Sequence, residues 1–133
     1  MTDTVFVDTS ALYAFINSRD PDHKEVKSYL EKYNGQLLTT NFIFDEILTL
    51  VMARMGHKKA ILTGKTLLNP KVFVMVKIRA ADEINAWELF INRPDKQYSF
   101  TDCTSFVIMK KLGIEKSLAI DSHFEQEGFE SVI

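Results

Sequence analysis

The stretch Thr4-Val5-Phe6-Val7-Asp8-Thr9-Ser10-Ala11-Leu12-Tyr13-Ala14 decides the fold. Val5, Phe6 and Val7 are β-branched or aromatic and uncharged, the make-up of a short strand buried on both faces of a parallel sheet. Asp8 ends that run. Thr9 or Ser10 then offers a hydroxyl to the open N–H groups of a helix start, and Ala11, Leu12, Ala14 and Phe15 continue at helical spacing. In open parallel sheets, ligand chemistry gathers in the crevice beyond the carboxyl ends of the strands, so Asp8 is a site candidate before the rest of the chain is read.

Working outward, Asn17 to Asp20 reads as a turn, and Asp20-Pro21 as the cap and first residue of a second helix. Val26, Tyr29, Leu30 and Tyr33 recur at helical spacing until Asn34-Gly35 stops them. Leu37 to Thr39 is a short strand, and Thr40 or Asn41 caps an apolar helix that Gly56 ends. Another helix is expected from Lys58 to Leu68, closed by Asn69-Pro70. Val72 to Ile78 is the most strand-like run in the chain, and Ala80 to Asn92 follows as a helix with Ala80, Ile84, Trp87 and Ile91 on one stripe. Ser99 and Asp102 have the spacing of a capping box, at the start of a helix that Gly113 ends. Ser117 to Asp121 repeats the opening device, a short apolar strand finishing on an acid, and Phe129 to Val132 suits an edge strand. Strands alternating with helices over this length predict an α/β fold: a three-layer sandwich with a central, mostly parallel sheet of about five short strands.

A chain of 133 residues fits one domain. With 46% hydrophobic and 26% charged residues it is not a disordered chain. No apolar run approaches the ~20 residues that span a bilayer, and no basic segment followed by an apolar one opens the chain, so the expected address is the cytoplasm. Cys103 stands alone and forms no internal disulfide. A net charge of -2 argues against a protein held to nucleic acid by charge alone; such binding has to be local or metal-assisted.

Four carboxylates stand out by position: Asp8, Glu46, Asp102 and Asp121. Turning each residue of the middle helix through 100° puts Phe42, Ile43, Leu50 and Ala53 within about 60° of Glu46, while Asp45 lies about 100° away beside Thr49 and Met52. Asp102 falls between Phe106 and Met109, again on the inward side. An inward carboxylate is costly unless it is paired or bound to a metal. Singly, each has an ordinary explanation: Asp102 as a cap, Asp8 and Asp121 as turn formers, Glu46 as a partner of Arg54 or a lysine. Jointly, one account covers all four. Acids at adjacent strand ends and on neighbouring helices converge on one pocket, where repulsion raises their pKa values unless a divalent cation neutralises them. Oxygen ligation without a cysteine or a histidine cluster selects Mg2+ or Mn2+ over Zn2+.

F-V-D-T-S-A-L at the start, an inward Glu in the middle helix, S-F-T-D at the start of a late helix and A-I-D-S-H-F near the end resemble the PIN domain, and within it the VapC-type ribonuclease toxins of prokaryotic toxin-antitoxin operons. The likeness covers essentially the whole chain, as a single PIN-like domain over residues 1–133. It implies metal-dependent cleavage of single-stranded or looped RNA, a homodimer, and an antitoxin protein that blocks the groove. Asp8, Glu46, Asp102 and Asp121 carry over as the acidic quartet. Asp8, Asp102 and Asp121 would hold one or two Mg2+ or Mn2+ ions, with Glu46 completing the cage or positioning the attacking water. Thr9 and Ser10 are near neighbours, and the helix start near Thr101 suits a phosphate oxygen.

Arg54, His57, Lys58, Lys59 and Lys65 form the densest basic stretch. Arg54 and Lys58 are the candidates for gripping an RNA backbone, set against the ordinary reading of a solvated helix face. His123 stands beside Phe124 and is assigned to structure rather than to the site. Cys103, about 100° from Asp102, is expected to pack, as are Trp87, Phe106 and the methionines. Three other readings compete. A catalytically silent PIN-like module would bind RNA or protein without cutting, and a housekeeping PIN nuclease would have no antitoxin. A haloacid-dehalogenase-like phosphatase also begins with a strand-end Asp, but it needs a second Asp two residues on, where Ser10 stands.

Overall fold

Strand β1 (Thr4–Val7) is buried along its whole length, with Val5, Phe6 and Val7 at 0% exposure, because it has a strand on each side and helices on both faces. The computed structural model describes residues 3–133. The sheet is ordered β3-β2-β1-β4-β5, with β2 at Gln36–Thr40, β3 at Val74–Val76, β4 at Lys116–Leu118 and β5 at Glu130–Ser131. Every pairing is parallel, and Val5 lies opposite Leu37 on one side and Lys116 on the other.

The helices between the strands are α1 (Thr9–Ile16), α2 (His23–Lys32), α3 (Asn41–Met55), α4 (His57–Leu67), α5 (Ala80–Ile91), α6 (Phe100–Leu112) and α7 (His123–Gln126). Right-handed crossovers put α1 to α4 on one face and α5 to α7 on the other. The packing agrees: α1 lies on α2 and α3, and α3 on α4, whereas α5 lies on α6 and α6 on α7. From β1 the chain moves to β2 and β3, and from β4 it moves the opposite way to β5. The strand order therefore reverses between β1 and β4, and the crevice opens there.

Several elements differ from the sequence expectation. The second helix starts at His23, not at Pro21, because the Asp20 carboxylate accepts the Asp22 N–H and holds a turn ahead of it. The run Val72 to Ile78 is strand only at Val74–Val76: β3 is an edge, and the N–H groups of Val72 and Phe73 turn back to the Asn69 carbonyl. The ladder of β4 stops at Leu118, so Asp121 does not end the strand but lies three residues beyond it. The stripe on α5 faces outward. Ile84, Trp87 and Ile91 are 62%, 54% and 53% exposed, while Asp82 and Ala86 on the opposite side are buried, and Met52 on α3 is exposed as well. Gly113 ends α6 as expected, at φ 69°, a backbone position that favours glycine.

Between sheet and α6 the core is aromatic. Phe106 meets Tyr98 and Phe124 edge-on, each with ring centres 4.9 Å apart, and Phe6 lies 5.8 Å from Phe124. One buried ion cluster closes this side. Glu127 accepts from Arg93 Nε at 3.0 Å and Nη2 at 2.9 Å, from Lys110 at 3.2 Å and from the Tyr98 hydroxyl at 3.1 Å. Burial pushes the Glu127 carboxyl up, yet the bonds from Arg93, Lys110 and Tyr98 outweigh it and hold the group below its ordinary range. Glu127→Ala should therefore cost about 1–3 kcal/mol, chiefly by leaving the Tyr98 hydroxyl without a partner. Urea unfolding of the variant checks this, and an unchanged midpoint would mean that the cluster is only a surface ornament.

A candidate metal centre at the switch point of the sheet

Asp8 leaves β1 at its carboxyl end and caps α1, at φ -88° and ψ 161°. The cap of this helix is thus the acid itself rather than Thr9 or Ser10. Asp8 Oδ2 accepts the Ser10 N–H at 3.3 Å and the Ser10 hydroxyl at 2.8 Å, and the same Ser10 Oγ accepts the Ile120 N–H at 2.9 Å. Ser10 therefore ties the end of β1 to the segment that follows β4. The Thr9 hydroxyl is also committed, because it donates to Glu46 Oε1. Glu46 sits on α3, whose start Thr40 caps through the Ile43 N–H. The fully buried stripe of this helix is Ile43, Ile47 and Val51; Glu46 lies at its edge, half-buried, while Asp45 and Ala53 are exposed.

Asp102 lies in the first turn of α6, where both bonds of the capping box form: Ser99 Oγ accepts the Asp102 N–H at 2.9 Å and Asp102 Oδ2 accepts the Ser99 N–H at 3.0 Å. Asp121 is more open, with 36% of its side chain exposed, and its Oδ1 accepts the His123 N–H at 3.1 Å. Asp102, Asp121 and His123 each bring a possible ligand atom within 4.8 Å of the others. Sequence reasoning read His123 as structural and left it out of the site, and its only signal was the spacing of two residues from Asp121. The ring Nδ1 lies 2.8 Å from Asp102 Oδ2 and 3.8 Å from Asp121 Oδ1.

Asp8, Asp102 and Asp121 feel one another. Burial pushes the Asp8 carboxyl up to about 7, and the Asp121 and Asp102 charges add to the shift against the pull of the Ser10 bonds. Burial also raises Asp121, with Asp102 adding to it and His123 opposing. Each of the four acids has one oxygen held by a protein donor. Asp8 Oδ1, Asp102 Oδ1, Asp121 Oδ2 and Glu46 Oε2 accept no protein hydrogen bond, and no buried side-chain oxygen among the described residues lacks a partner, so these four oxygens are open to solvent. Hard, negatively charged oxygens with one lone-pair edge free are what Mg2+ or Mn2+ requires, so the residues fit such an ion. Arg54 sits over the Tyr13 ring at 5.1 Å and is exposed, as is Lys58; the Thr101 carbonyl accepts the hydroxyls of Thr104 and Ser105. Cys103 is buried, and burial pushes its thiol up to about 11.

A wholly parallel α/β sheet with acids gathered at its switch point defines a protein built around an acidic, cation-ready cleft. Residues 5–129 match the family described as PIN domain, and the chain belongs to that family. It is 34% identical over 128 residues, 96% of this chain and 97% of the relative, to the 23S rRNA-specific endonuclease VapC20 of Mycobacterium tuberculosis, in both strain CDC 1551 / Oshkosh and strain H37Rv. The crystal structure of M. tuberculosis VapC20, described as a Sarcin-Ricin loop cleaving toxin, superimposes with a TM-score of 0.89 at 33% identity, covering 94% of this chain and 95% of that one.

The Asp8 shift has a sign that can be tested. A buried carboxyl raised to about 7 favours the protonated form, so its contribution to stability is complete below the ordinary value of 3.8 and is lost as pH rises through about 7. The ion-free protein should melt lower at about pH 8 than at about pH 5, and Asp8→Asn, which keeps the oxygen that Ser10 donates to, should flatten that slope. Saturating Mg2+ should restore the melting temperature at the higher pH. Thermal melts across this range decide it; a wild type that gains stability through neutral pH contradicts the shift.

Proposed function

We propose that this protein is a metal-dependent endoribonuclease of the VapC type, which cuts single-stranded or looped RNA in the cytoplasm as the toxin of a toxin-antitoxin pair. The reading is carried by four carboxylates at the switch point, each with one oxygen held and the other free, in a chain 34% identical to a 23S rRNA-specific endonuclease. Asp8, Asp102 and Asp121 would hold Mg2+ or Mn2+, which when bound lowers the pKa of a water and neutralises charge developing on a phosphodiester. The chain's own residues do the rest. Asp8 would serve as a ligand in its deprotonated form, and the Ser10 hydroxyl donates to its Oδ2 and orients the carboxylate. Glu46, steadied on one oxygen by Thr9, has the other free to accept a proton from water or to orient it. Exposed Arg54 and Lys58 are the side chains proposed to meet the RNA backbone.

A catalytically silent module is disfavoured because all four acids are present and none is consumed by an ion pair with Lys or Arg among the described residues. Exposed Ile84, Trp87 and Ile91 on α5, with Phe90 stacked on Trp87 at 5.9 Å, form an apolar face that supports a homodimer. A basic or apolar antitoxin segment laid over the acidic cleft would inhibit by occlusion.

The test of the activity uses neighbours. Glu46→Gln should lose most RNA cleavage, while Asp45→Asn, at an exposed position one residue away, should stay within a few-fold of wild type. Excess chelator should abolish cleavage, and Mg2+ or Mn2+ should restore it. Cleavage that persists in chelator sinks the metal mechanism, and an inactive Asp45→Asn sinks the assignment of Glu46. For the partners, Trp87→Glu should shift the chain toward monomer in sedimentation, and co-expression with its cognate antitoxin should yield a copurifying complex. A variant that sediments like wild type would remove α5 from the dimer proposal.

A further inference from the structure

His123 holds two of the acids at once, with different parts of itself. Its main-chain N–H donates to Asp121 Oδ1 at 3.1 Å, and its ring Nδ1 lies 2.8 Å from Asp102 Oδ2. Two lone-pair atoms do not come this close without a hydrogen between them. Asp102 Oδ2 already accepts the Ser99 N–H at 3.0 Å, so the hydrogen belongs on Nδ1 and the ring is the donor. The Nδ1 that carries this hydrogen has no lone pair for a metal, so through this nitrogen the imidazole serves the Asp102 carboxylate, and only Nε2 keeps a lone pair.

The ring is itself held. Tyr98 packs against it in a T-shaped contact with ring centres 5.5 Å apart, and the Tyr98 hydroxyl donates to Glu127 Oε1 at 3.1 Å. The next residue, Phe124, is 1% exposed and anchors α7 against Phe106. The ring is thus braced from Tyr98 on one side and by the buried start of α7 on the other, and only 23% of its side chain is open.

We propose that His123 is a positioning residue of the metal centre: with Ser99 it fixes Asp102 Oδ2, so that Oδ1 is the atom turned to the ion, and it sets Asp102 against Asp121. This rests on the metal-dependent reading above. It accounts for the separation of duties on Asp102, whose one oxygen serves helix α6 and His123 while the other is free. An ion that binds between residues 102 and 121 then finds their carboxylates already oriented, and the cost of ordering them is met in folding.

The experiment measures Mn2+ binding by calorimetry on the full chain without RNA, for wild type, His123→Ala, His123→Asn and His123→Gln. Asn places an amide N–H near the position of Nδ1, whereas Gln places one near Nε2. His123→Ala should weaken Mn2+ binding by about 10- to 100-fold, the range seen when an outer partner of a metal ligand is removed. His123→Asn should recover most of that loss and His123→Gln should not. If His123→Ala fails to fold by circular dichroism, the Asn and Gln pair still decides, with Asn the tighter by about tenfold. An affinity unchanged in His123→Ala, or Asn and Gln variants of equal affinity, overturns the proposal. Equal loss in all three variants, with a changed preference between Mn2+ and Mg2+, overturns it in favour of direct ligation. A wild type that binds no Mn2+ defeats the metal reading itself, and one that binds Mn2+ but cuts no RNA defeats only the nuclease reading.

Discussion

Repulsion between carboxylates is the constraint around which the carboxyl edge of this sheet is arranged. Charges close together and shielded from water repel strongly, and at Asp8 burial first, then the Asp121 and Asp102 charges, push the carboxyl up to about 7. The fold offsets it with donors already present in its backbone. Asp8 caps α1 and the Asp102 carboxylate accepts the Ser99 N–H at the start of α6, so two of the four acids sit at helix N-termini, where the helix dipole favours negative charge. Site and helix initiation are therefore one structure. The same oxygen that starts the helix is the one withheld from the cleft, and the remaining oxygen is left for chemistry.

The scaffold under these groups is apolar and closely interlocked. β1 and β4 bring the ends of the chain together at the sheet centre, and Phe6, Phe106 and Phe124 fill the space between sheet and α6. Full burial of a Phe of this kind is worth roughly 1.5–3 kcal/mol, so three of them outweigh the penalty of one crowded acid. The Arg93–Glu127–Tyr98 cluster then connects the loop before α6 to the segment after α7.

What the residues revealed, and where they fell silent, follows from the range of the interactions involved. β1 and Asp8 were legible because burial on both faces leaves an uninterrupted apolar run, and an acid that ends it is conspicuous. The Ser99 and Asp102 box was legible because both of its bonds join residues three apart. The relative turn of Glu46 and Asp45 was legible because helical rotation is fixed, although Ile47 and Val51 place the buried stripe to one side of Glu46. The α5 stripe was misjudged for a physical reason: periodicity reports that Ile84, Trp87 and Ile91 share a face, not whether that face meets the core or the solvent. The distance of Asp121 from its strand was hidden because β4 can pair only as far as its neighbours, and β5 is two residues long. His123 was missed because its partner lies on another helix, a relation that no local spacing encodes.

Because β1 stands between β2 and β4, it remains half-paired until residues 116–118 arrive. During synthesis β2 is available early to pair with β1, but the other edge of β1, the Ser10 to Ile120 bond and the Asp121 carboxylate all await residues 116–121. An acidic centre does not exist on the growing polypeptide, whatever length short of that has emerged. A product truncated ahead of residue 121 thus carries Asp8, Glu46 and Asp102 without the fourth acid.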